Sequence, residues 1–369
     1  MSLRSKFGEL ELPATADFHV HLRDGEMMKT VVPTIRRGGV NVAYVMPNLV
    51  PPITTVEAAL SYKARLQALE PAVTFLMTLY LHPSITPQMI IEAKRAGIAG
   101  VKSYPAGVTT NSEFGTTSYE PYYPVFAEME RQDMVLNLHG ELPSSPSSSS
   151  SDPVTILNAE ARFLPTLLDL HTRFPKLRIV LEHCTTADAL AAVRACGPTV
   201  AATITAHHLI LTIDDVAGDP FSFCKPVAKL PTDRLALLQA AVSGDPKFFL
   251  GTDSAPHPEE TKRGLTTMTP SADQKHAVAS ANQKPAAGVF TQPYATQLVL
   301  AALEEAVSKG VLTEDQVTQQ ILEDFLGGFG RKFYQLDGVN NGLKERIVLS
   351  PDTGETVESL LEGPGDSGQ

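Results

Sequence analysis

Short apolar runs alternate with longer amphipathic segments along most of the chain. Buried strands of parallel sheets are continuous apolar runs, whereas amphipathic helices repeat apolar positions every three or four residues. The apolar runs predict eight strands, at residues 14–20, 40–46, 73–79, 97–102, 134–138, 178–181, 199–204 and 248–250. The other segments predict eight helices, at residues 27–37, 55–69, 87–96, 122–132, 158–172, 186–196, 233–243 and 293–309. Eight strand-then-helix units predict a closed (β/α)8 barrel of the TIM type, because an open doubly wound sheet rarely needs so many.

We expect residues 1–335 to form this barrel as one domain, since such barrels commonly fill a chain of this length. A serine- and proline-rich stretch at residues 143–152 buries little apolar surface and predicts an exposed, mobile loop insertion. Residues 336–369 are expected to be a C-terminal extension that packs on the barrel or trails from it. Residues 314–325 predict one further helix outside the barrel, and residues 344–349 predict an edge strand.

Composition narrows the class of partner. The 369 residues include 43% hydrophobic and 19% charged residues, and their net charge is −11. Nucleic-acid binding requires a surplus of Lys and Arg, so this charge argues against such a partner, while a small anionic substrate is compatible with a local basic pocket. The sequence has neither an apolar run long enough for a membrane span nor a secretory signal, which predicts a cytoplasmic protein without a membrane partner.

Two histidines, His19 and His21, follow an apolar run and are separated by one apolar residue. Because side chains alternate along a strand, both imidazoles would lie on one face. Taken alone, such a pair is more often two ordinary histidines on a half-buried strand than a metal site. The ends of other predicted strands, however, supply Lys102, His139, His183 and Asp253. Barrel active sites lie at the C-terminal ends of the strands, so these six residues predict one common site.

Imidazole and carboxylate groups are suitable ligands for a divalent ion such as zinc. Lys102 is the exception, because cations would repel its ammonium group. Its side chain is either snorkelling or ion-paired, or its amine has been carbamylated by carbon dioxide, which replaces the cation with a carboxylate. Five nitrogen and oxygen ligands together with one bridging carbamate are enough for a binuclear metal centre.

At this point the sequence resembles the dihydroorotases of the amidohydrolase superfamily, specifically the compact single-function type. The resemblance extends from Asp17 to about Arg331. It depends on the motifs His19-Val20-His21-Leu22-Arg23-Asp24-Gly25, Met46-Pro47-Asn48, Gly100-Val101-Lys102-Ser103-Tyr104-Pro105, Leu138-His139-Gly140-Glu141, Glu182-His183 and Gly251-Thr252-Asp253-Ser254-Ala255-Pro256-His257. The His-x-His pair alone is compatible with many hydrolases of the superfamily, whereas the whole set of motifs is specific to far fewer of them.

The resemblance implies a ligand set and a reaction. One Zn²⁺ would be held by His19, His21 and Asp253, the second by His139 and His183, and Lys102 would bridge them as N6-carboxylysine. The implied reaction is the reversible cyclisation of N-carbamoyl-L-aspartate to L-dihydroorotate plus water in pyrimidine (UMP) biosynthesis. A hydroxide bridging the two metals would be the nucleophile in ring opening, and Asp253 would act as general acid and base. The barrel and its extension account for the chain, which predicts a stand-alone enzyme, and the resemblance implies a homodimer.

Arg23, Asn48 and His257 are candidates for binding the substrate carboxylate that does not react, because each lies at a strand end and Arg offers a bidentate fork. Alternatively, Asn48 is only a turn residue and Arg23 forms a surface ion pair with Asp24. The resemblance also implies backbone contacts from Ala287 and Gly288.

Residues 105–118, which include Thr109 and Thr110, resemble the family's mobile loop, in which two threonines close over the substrate. A solvated connection is the alternative. Lys225 departs from the bacterial pattern of the family, which has an apolar residue there, and its role stays open. His207, His208 and the thiol of Cys224 are expected to be ordinary polar or core groups.

Two other functions remain open. Another cyclic-amide hydrolase, such as a hydantoinase or allantoinase, would share the metals but would not require Arg23, Asn48 and His257. A non-catalytic barrel used for assembly is the third hypothesis, and the presence of all six expected metal ligands argues against it.

Overall fold

The computed structural model describes residues 3–144, 153–265, 284–336 and 345–350. A short strand, β1 (Leu10–Pro13), precedes eight parallel strands that are neighbours in sequential order. These are β2 (Thr15–Val20), β3 (Val40–Val45), β4 (Thr74–Tyr80), β5 (Gly100–Ser103), β6 (Val135–His139), β7 (Arg178–Glu182), β8 (Val200–Ile204) and β9 (Phe248–Leu250). All eight predicted barrel strands are therefore confirmed, and the largest shift is at β5, which begins at Gly100 instead of residue 97.

Helices surround the strands. The described part of the chain contains α1 (Leu3–Phe7), α2 (Gly25–Val31), α3 (Val56–Leu69), α4 (Pro87–Arg95), α5 (Tyr123–Arg131), α6 (Ala159–Arg173), α7 (Ala187–Ala195), α8 (Ile213–Val216), α9 (Pro231–Ala241), α10 (Glu259–Lys262), α11 (Ala295–Ser308), α12 (Gln319–Glu323) and α13 (Phe329–Phe333). Thr55, Thr86 and Thr186 begin α3, α4 and α7, because each hydroxyl accepts a hydrogen bond from a backbone N–H of the first turn. Among these residues, no helix has the length and apolar character needed to cross a membrane.

The first and last barrel strands meet just beyond β9. The backbone N–H of Asp253 donates to the carbonyl of His19 over 2.8 Å, and the N–H of His21 donates to the carbonyl of Ser254 over 3.0 Å. Val20 and Ser254 form a parallel bridge at the same place. This seam completes the predicted (β/α)8 barrel and places the end of β2 beside the segment that follows β9.

The lower half of the barrel interior is filled by what we call the inner cluster. Its buried members are Ala16, Phe18, Val42, Tyr44, Met46, Val135, Val180, Ala201, Phe249 and Tyr334. The Phe18 ring stacks on Tyr334, with 5.0 Å between ring centroids, and meets Phe249 edge-on at 5.3 Å. Helix α13 covers the amino ends of the strands, since Arg331 donates to the carbonyl of Ala14 and Arg178 donates to that of Phe333. The open end of the barrel is therefore the carboxyl end.

Two predicted helices differ from the structure. The predicted helix at 27–37 is α2 followed by a 3₁₀ helix (Val32–Gly38), because Pro33 has no N–H to donate and its ring obstructs a continuous α-helix. The single helix predicted at 314–325 was also wrong. That region contains a 3₁₀ turn (Glu314–Gln316), then α12, then a π-helical turn (Asp324–Gly328) that leads into α13.

The predicted edge strand is confirmed as β10 (Arg346–Leu349), which pairs antiparallel with β1. The sequence analysis missed β1, because four residues are too few for a periodic pattern. Residues 145–152, most of the serine-rich insertion, lie outside the described residues, as do residues 337–344 and 351–369 of the C-terminal extension. The mobility of that insertion, the trailing part of the extension and the division at residue 335 stay predictions.

Gly330 of α13 lies against the inner cluster. A Cβ atom there would come within 2.1 Å of the Phe18 ring. We expect Gly330→Ala to lower the free energy of unfolding by about 1–3 kcal/mol, the usual cost of overpacking, as measured by urea denaturation. Phe18→Leu supplies the control, because a smaller side chain opens space for the added methyl group. The loss in the double variant should be smaller than the sum of the two single losses, and strict additivity would contradict this contact.

Candidate metal centre and active site

Three of the predicted metal ligands converge at the seam. The Nε2 atoms of His19 and His21 lie 3.3 Å and 3.1 Å from Oδ1 of Asp253. All three side chains are buried, and one potential ligand atom from each lies within 4.8 Å of the other two. Nitrogen and carboxylate donors at this separation form a suitable partial shell for a divalent ion.

The remaining predicted histidines continue this group. The ring centroids of His139 and His183 are 4.6 Å apart, and those of His19 and His183 are 5.0 Å apart. Lys102 of β5 is completely buried beside them. The structure therefore brings together all six residues that the strand ends predicted.

The outer nitrogens of three imidazoles are held by other side chains. These contacts are His19 Nδ1 to Glu182 Oε2 at 2.8 Å, His21 Nδ1 to Asn48 Oδ1 at 2.8 Å and His139 Nε2 to Glu141 Oε2 at 2.7 Å. An oxygen acceptor on one ring nitrogen fixes the tautomer and leaves the lone pair of the other nitrogen for a metal. The sequence analysis named both glutamates within motifs but gave them no role, although each lies within two residues of an expected ligand, and this proximity was the available signal.

The charge states suit metal binding. Burial lowers the pKa of His19, His21, His139 and His183 below their ordinary values, so these imidazoles are neutral, as metal ligands must be. Burial alone would raise the pKa of Asp253, but His19 and His21 outweigh this effect and hold it below the usual range. Asp253 is therefore an ionised carboxylate beside these imidazoles.

Lys102 tests whether the site fits the expected bridging group. Its Nζ atom is buried and has no hydrogen-bond partner among the described residues. Burial lowers the pKa of Lys102 to about 8, although Glu182 and Asp253 oppose this shift. A buried ammonium without a hydrogen-bond partner is strongly unfavourable, whereas a carbamate at this position could bind the metal ions that the neighbouring ligands would hold. The residues present thus fit a binuclear centre with a modified lysine.

Several side chains are directed into the site by unusual backbone conformations. Arg23, His183 and Asp253 have φ angles of 60°, 41° and 49°, in the left-handed region that residues other than glycine seldom adopt. Each directly follows or nearly follows a strand. Strained backbone of this kind is concentrated at functional sites, and no simple sequence pattern reveals it.

Arg23 is held at the pocket rather than in a pair with its neighbour. Its Nε donates to the carbonyl of Pro256 over 2.8 Å, and its Nη2 lies 3.1 Å from Nε2 of His257. Asp24 pairs instead with Arg65, so the alternative of a surface pair between residues 23 and 24 was wrong. Burial and the nearby Arg23 lower the pKa of His257 to about 3, and its ring is neutral.

Asn48 is more than a turn residue, because its side chain joins the site to the loop at 105–118. Its Oδ1 contacts His21, and its Nδ2 donates to the carbonyl of Thr110 over 3.1 Å. In return, Asn111 donates from its side chain to the carbonyl of Asn48 over 2.9 Å. The loop therefore lies against the site in this structure.

One cavity opens at the carboxyl end of the barrel. Its lining residues are His19, His21, Arg23, Asn48, Tyr104, Thr109, Thr110, His139, His183, Lys225, Asp253, Ala255, Ala287 and Gly288. Among the expected site residues, Lys102 is buried below this surface and His257 lies behind it, where its Nε2 is 3.0 Å from the carbonyl of Ala287. Tyr104 and Ala255 are lining residues that the sequence analysis did not assign, and the departure at Lys225 lies in the cavity wall.

His207, His208 and Cys224 form a second buried group of potential metal ligands. However, His208 Nε2 and Cys224 Sγ both contact the carbonyl of Pro226, at 3.0 Å and 3.2 Å. His208 Nε2 and Cys224 Sγ therefore each carry a proton that points at this carbonyl, and a protonated atom cannot bind a metal. This geometry favours the interpretation of His208 and Cys224 as polar core groups.

Comparisons with known proteins agree with the site. No family model matches the chain. A protein of Schizosaccharomyces pombe named "Probable dihydroorotase" is 54% identical over 351 residues, which cover 95% of this chain and 94% of that protein. The crystal structure of dihydroorotase from Saccharomyces cerevisiae in complex with 5-fluoroorotic acid has a TM-score of 0.80 and 43% identity, covering 92% of this chain and 89% of that one.

A more distant structure has the same fold. The L-hydantoinase of Arthrobacter aurescens has a TM-score of 0.71, with 19% identity over 89% of this chain and 72% of that chain. At this identity the likeness concerns the barrel alone. The identity to the Schizosaccharomyces pombe protein, in contrast, extends across nearly the whole of both chains. The resemblance that the motifs indicated is confirmed, and the chain belongs to the dihydroorotase family.

Proposed function

We propose that this chain reversibly cyclises N-carbamoyl-L-aspartate to L-dihydroorotate and water in pyrimidine biosynthesis. The observation that carries the proposal is one shared cavity, in which Arg23 lies beside the group formed by His19, His21 and Asp253. Side chains that can hold a metal ion account for hydrolysis of an amide bond. The guanidinium of Arg23 in the same cavity accounts for selection of a cyclic substrate that carries a carboxylate. Because the chain belongs to the dihydroorotase family, we take that cyclic substrate to be L-dihydroorotate.

Two Zn²⁺ ions are proposed as the resident cofactors. His19, His21 and Asp253 would hold one, His139 and His183 the other, and Lys102, carboxylated on Nζ, would be shared by both. The unpartnered, buried Nζ of Lys102 and the neutral imidazoles support this assignment. When bound, the ions supply Lewis acidity, which polarises the amide carbonyl and lowers the pKa of water.

Asp253 is proposed as the residue that moves the proton. The carboxylate of Asp253 is ionised, so an oxygen lone pair is free to take up a proton. In ring opening, Asp253 takes a proton from the attacking water and delivers it to the ring nitrogen as the C–N bond breaks. In ring closure, Asp253 removes the proton from the carbamoyl nitrogen of N-carbamoyl-L-aspartate. The contacts with His19 and His21 orient the carboxylate for both directions.

Arg23, Asn48 and His257 are proposed to bind the carboxylate that takes no part in the reaction. Arg23 is oriented by the carbonyl of Pro256, and Nε2 of His257 can either accept from Arg23 or donate to Ala287, but not both. A bound carboxylate would accept the hydrogen bonds of Arg23. Nε2 of His257 would then be free to donate to the carbonyl of Ala287. Such charge-assisted hydrogen bonds are stronger than neutral ones.

The remaining proposed contacts lie around the ring. Thr109 and Thr110 would cover the substrate and exclude water, since they line the cavity and their loop contacts Asn48. The backbone of Ala287 and Gly288 would contact the ring from the opposite wall. Homodimer formation and a cytoplasmic location are proposed as well, with support only from the family and from the sequence.

The first prediction concerns Lys102. We expect the purified chain to contain about two zinc ions and to hydrolyse L-dihydroorotate. Hydrolysis is measured by the loss of ultraviolet absorbance. Lys102→Ala should lose bound zinc and lower the rate by about a thousandfold or more, because the bridging group is gone. Lys29→Ala is the control, since Lys29 is exposed and pairs only with Glu26 in the described structure. Two bound zinc ions without turnover of L-dihydroorotate would indicate another cyclic amide as the substrate. The absence of both zinc and turnover would indicate a non-catalytic barrel.

A second prediction separates dihydroorotase from hydantoinase chemistry. Arg23→Gln should lower kcat/KM for L-dihydroorotate by about a hundredfold, the cost of a lost charge-assisted contact of roughly 3 kcal/mol. Dihydrouracil has the same ring without the carboxylate. Its rate of hydrolysis, already low in the wild type, should fall less than about threefold in Arg23→Gln. Arg65→Gln is the matched control, because Arg65 pairs with the neighbouring Asp24 outside the cavity. A wild-type preference for dihydrouracil would refute the proposed substrate.

A further inference from the structure

Lys262 is a buried lysine to which neither the proposed metal centre nor the proposed substrate contacts assign a role. It is the last residue of α10, and only 4% of its surface is exposed. Its Nζ donates to the carbonyls of Phe223 at 2.9 Å, Ala286 at 3.0 Å and Gly288 at 2.7 Å. An ammonium has three protons, so these contacts use every donor.

The three carbonyls belong to two segments of the cavity wall. Ala286 and Gly288 flank Ala287, and both Ala287 and Gly288 line the cavity. Phe223 lies two residues before Lys225, which also lines it. The N–H of Gly288 donates to the carbonyl of Phe223 over 3.0 Å, so this carbonyl joins the two segments directly. The ammonium of Lys262 thus lies behind the wall, at the point where its two halves meet.

The position of this wall is tightly constrained. Gly288 has a φ of 153°, and a Cβ there would lie 2.2 Å from the carbonyl oxygen of Ala255, another lining residue. Ala287 offers its carbonyl to His257, the proposed carboxylate ligand. A shift of a few tenths of an ångström in this segment would therefore alter both the shape of the cavity and the contact with His257.

We propose that Lys262 is a positioning residue for substrate binding: its ammonium, bonded to three carbonyls, holds residues 286–288 against residues 223–225 and so fixes one wall of the cavity. This inference rests on the proposed function, because it concerns the wall expected to contact the ring. The wall contacts the substrate throughout the reaction and bears no reacting group. Its displacement should weaken binding and raise KM more than it lowers kcat.

The chain contains a matched control. Lys247 also donates from Nζ to three backbone carbonyls, those of Cys196, Gly197 and Val200, at 3.2, 2.6 and 2.8 Å. It directly precedes β9, at the amino end of the barrel and therefore opposite the cavity. Lys247 is half-buried and Lys262 is buried, but Lys247→Met removes the same three-carbonyl interaction as Lys262→Met, and it does so away from the substrate wall.

The experiment measures three quantities for the zinc-loaded wild type, Lys262→Met and Lys247→Met. These are Tm, the Kd of 5-fluoroorotic acid by calorimetry, and kcat and KM for L-dihydroorotate. We expect both variants to lose Tm. Only Lys262→Met should raise Kd and KM by about tenfold or more, with kcat changed less than about threefold and zinc content unchanged. Should Lys262→Met fail to fold, Lys262→Gln replaces it with the same expectations.

The outcomes are distinguishable. Equal loss of Tm in both variants with unchanged Kd and KM for Lys262→Met would overturn the positioning role and leave a structural one. A fall in kcat at constant Kd would also overturn it, because the wall would then act on the reacting atoms. A wild type that neither binds 5-fluoroorotic acid nor hydrolyses L-dihydroorotate would refute the proposed function, and the positioning role with it.

Discussion

Closure of the barrel between β2 and the segment after β9 is the constraint on which the site depends. Two backbone hydrogen bonds at this seam place His19 and His21 beside Asp253, although His21 and Asp253 are 232 positions apart in the chain. The same parallel arrangement places the ends of β5, β6 and β7 around the opening, which adds Lys102, His139 and His183. Because strand order fixes these neighbours, the chemistry follows from the topology rather than from local sequence.

Below the site, polar groups inside the barrel keep the imidazoles in the form that binds metals. Glu182 accepts from His19 and is itself held by Thr203 and Asn137, at 2.6 Å each. Asn137 in turn contacts Tyr334 beside α13 over 2.8 Å. This chain of hydrogen bonds connects the inner cluster to a proposed metal ligand. A buried carboxylate is tolerated here because every oxygen has a partner.

Much of the fold could be predicted because the barrel strands are buried on both faces and are thus continuous apolar runs. The site residues could be predicted because barrel sites lie where those runs end. The pattern failed where the run was short, as for β1, or where one residue interrupts a helix, as Pro33 does. The hydrogen bonds that orient the imidazoles, the backbone conformation at Asp253 and the contacts of Lys262 depend on tertiary packing, so no periodicity could reveal them.

The seam also orders events during synthesis of the chain. Asp253 follows β9, the last strand of the barrel, whereas His19 lies in β2, the first barrel strand, and His21 directly follows it. Contacts between such distant residues form late in folding, since a long loop must close before they can be made. A nascent chain that ends before β9 lacks one donor of this three-residue group, however well its first strands have formed. The proposed zinc centre therefore depends on completion of the barrel, and metal loading becomes a late step in maturation.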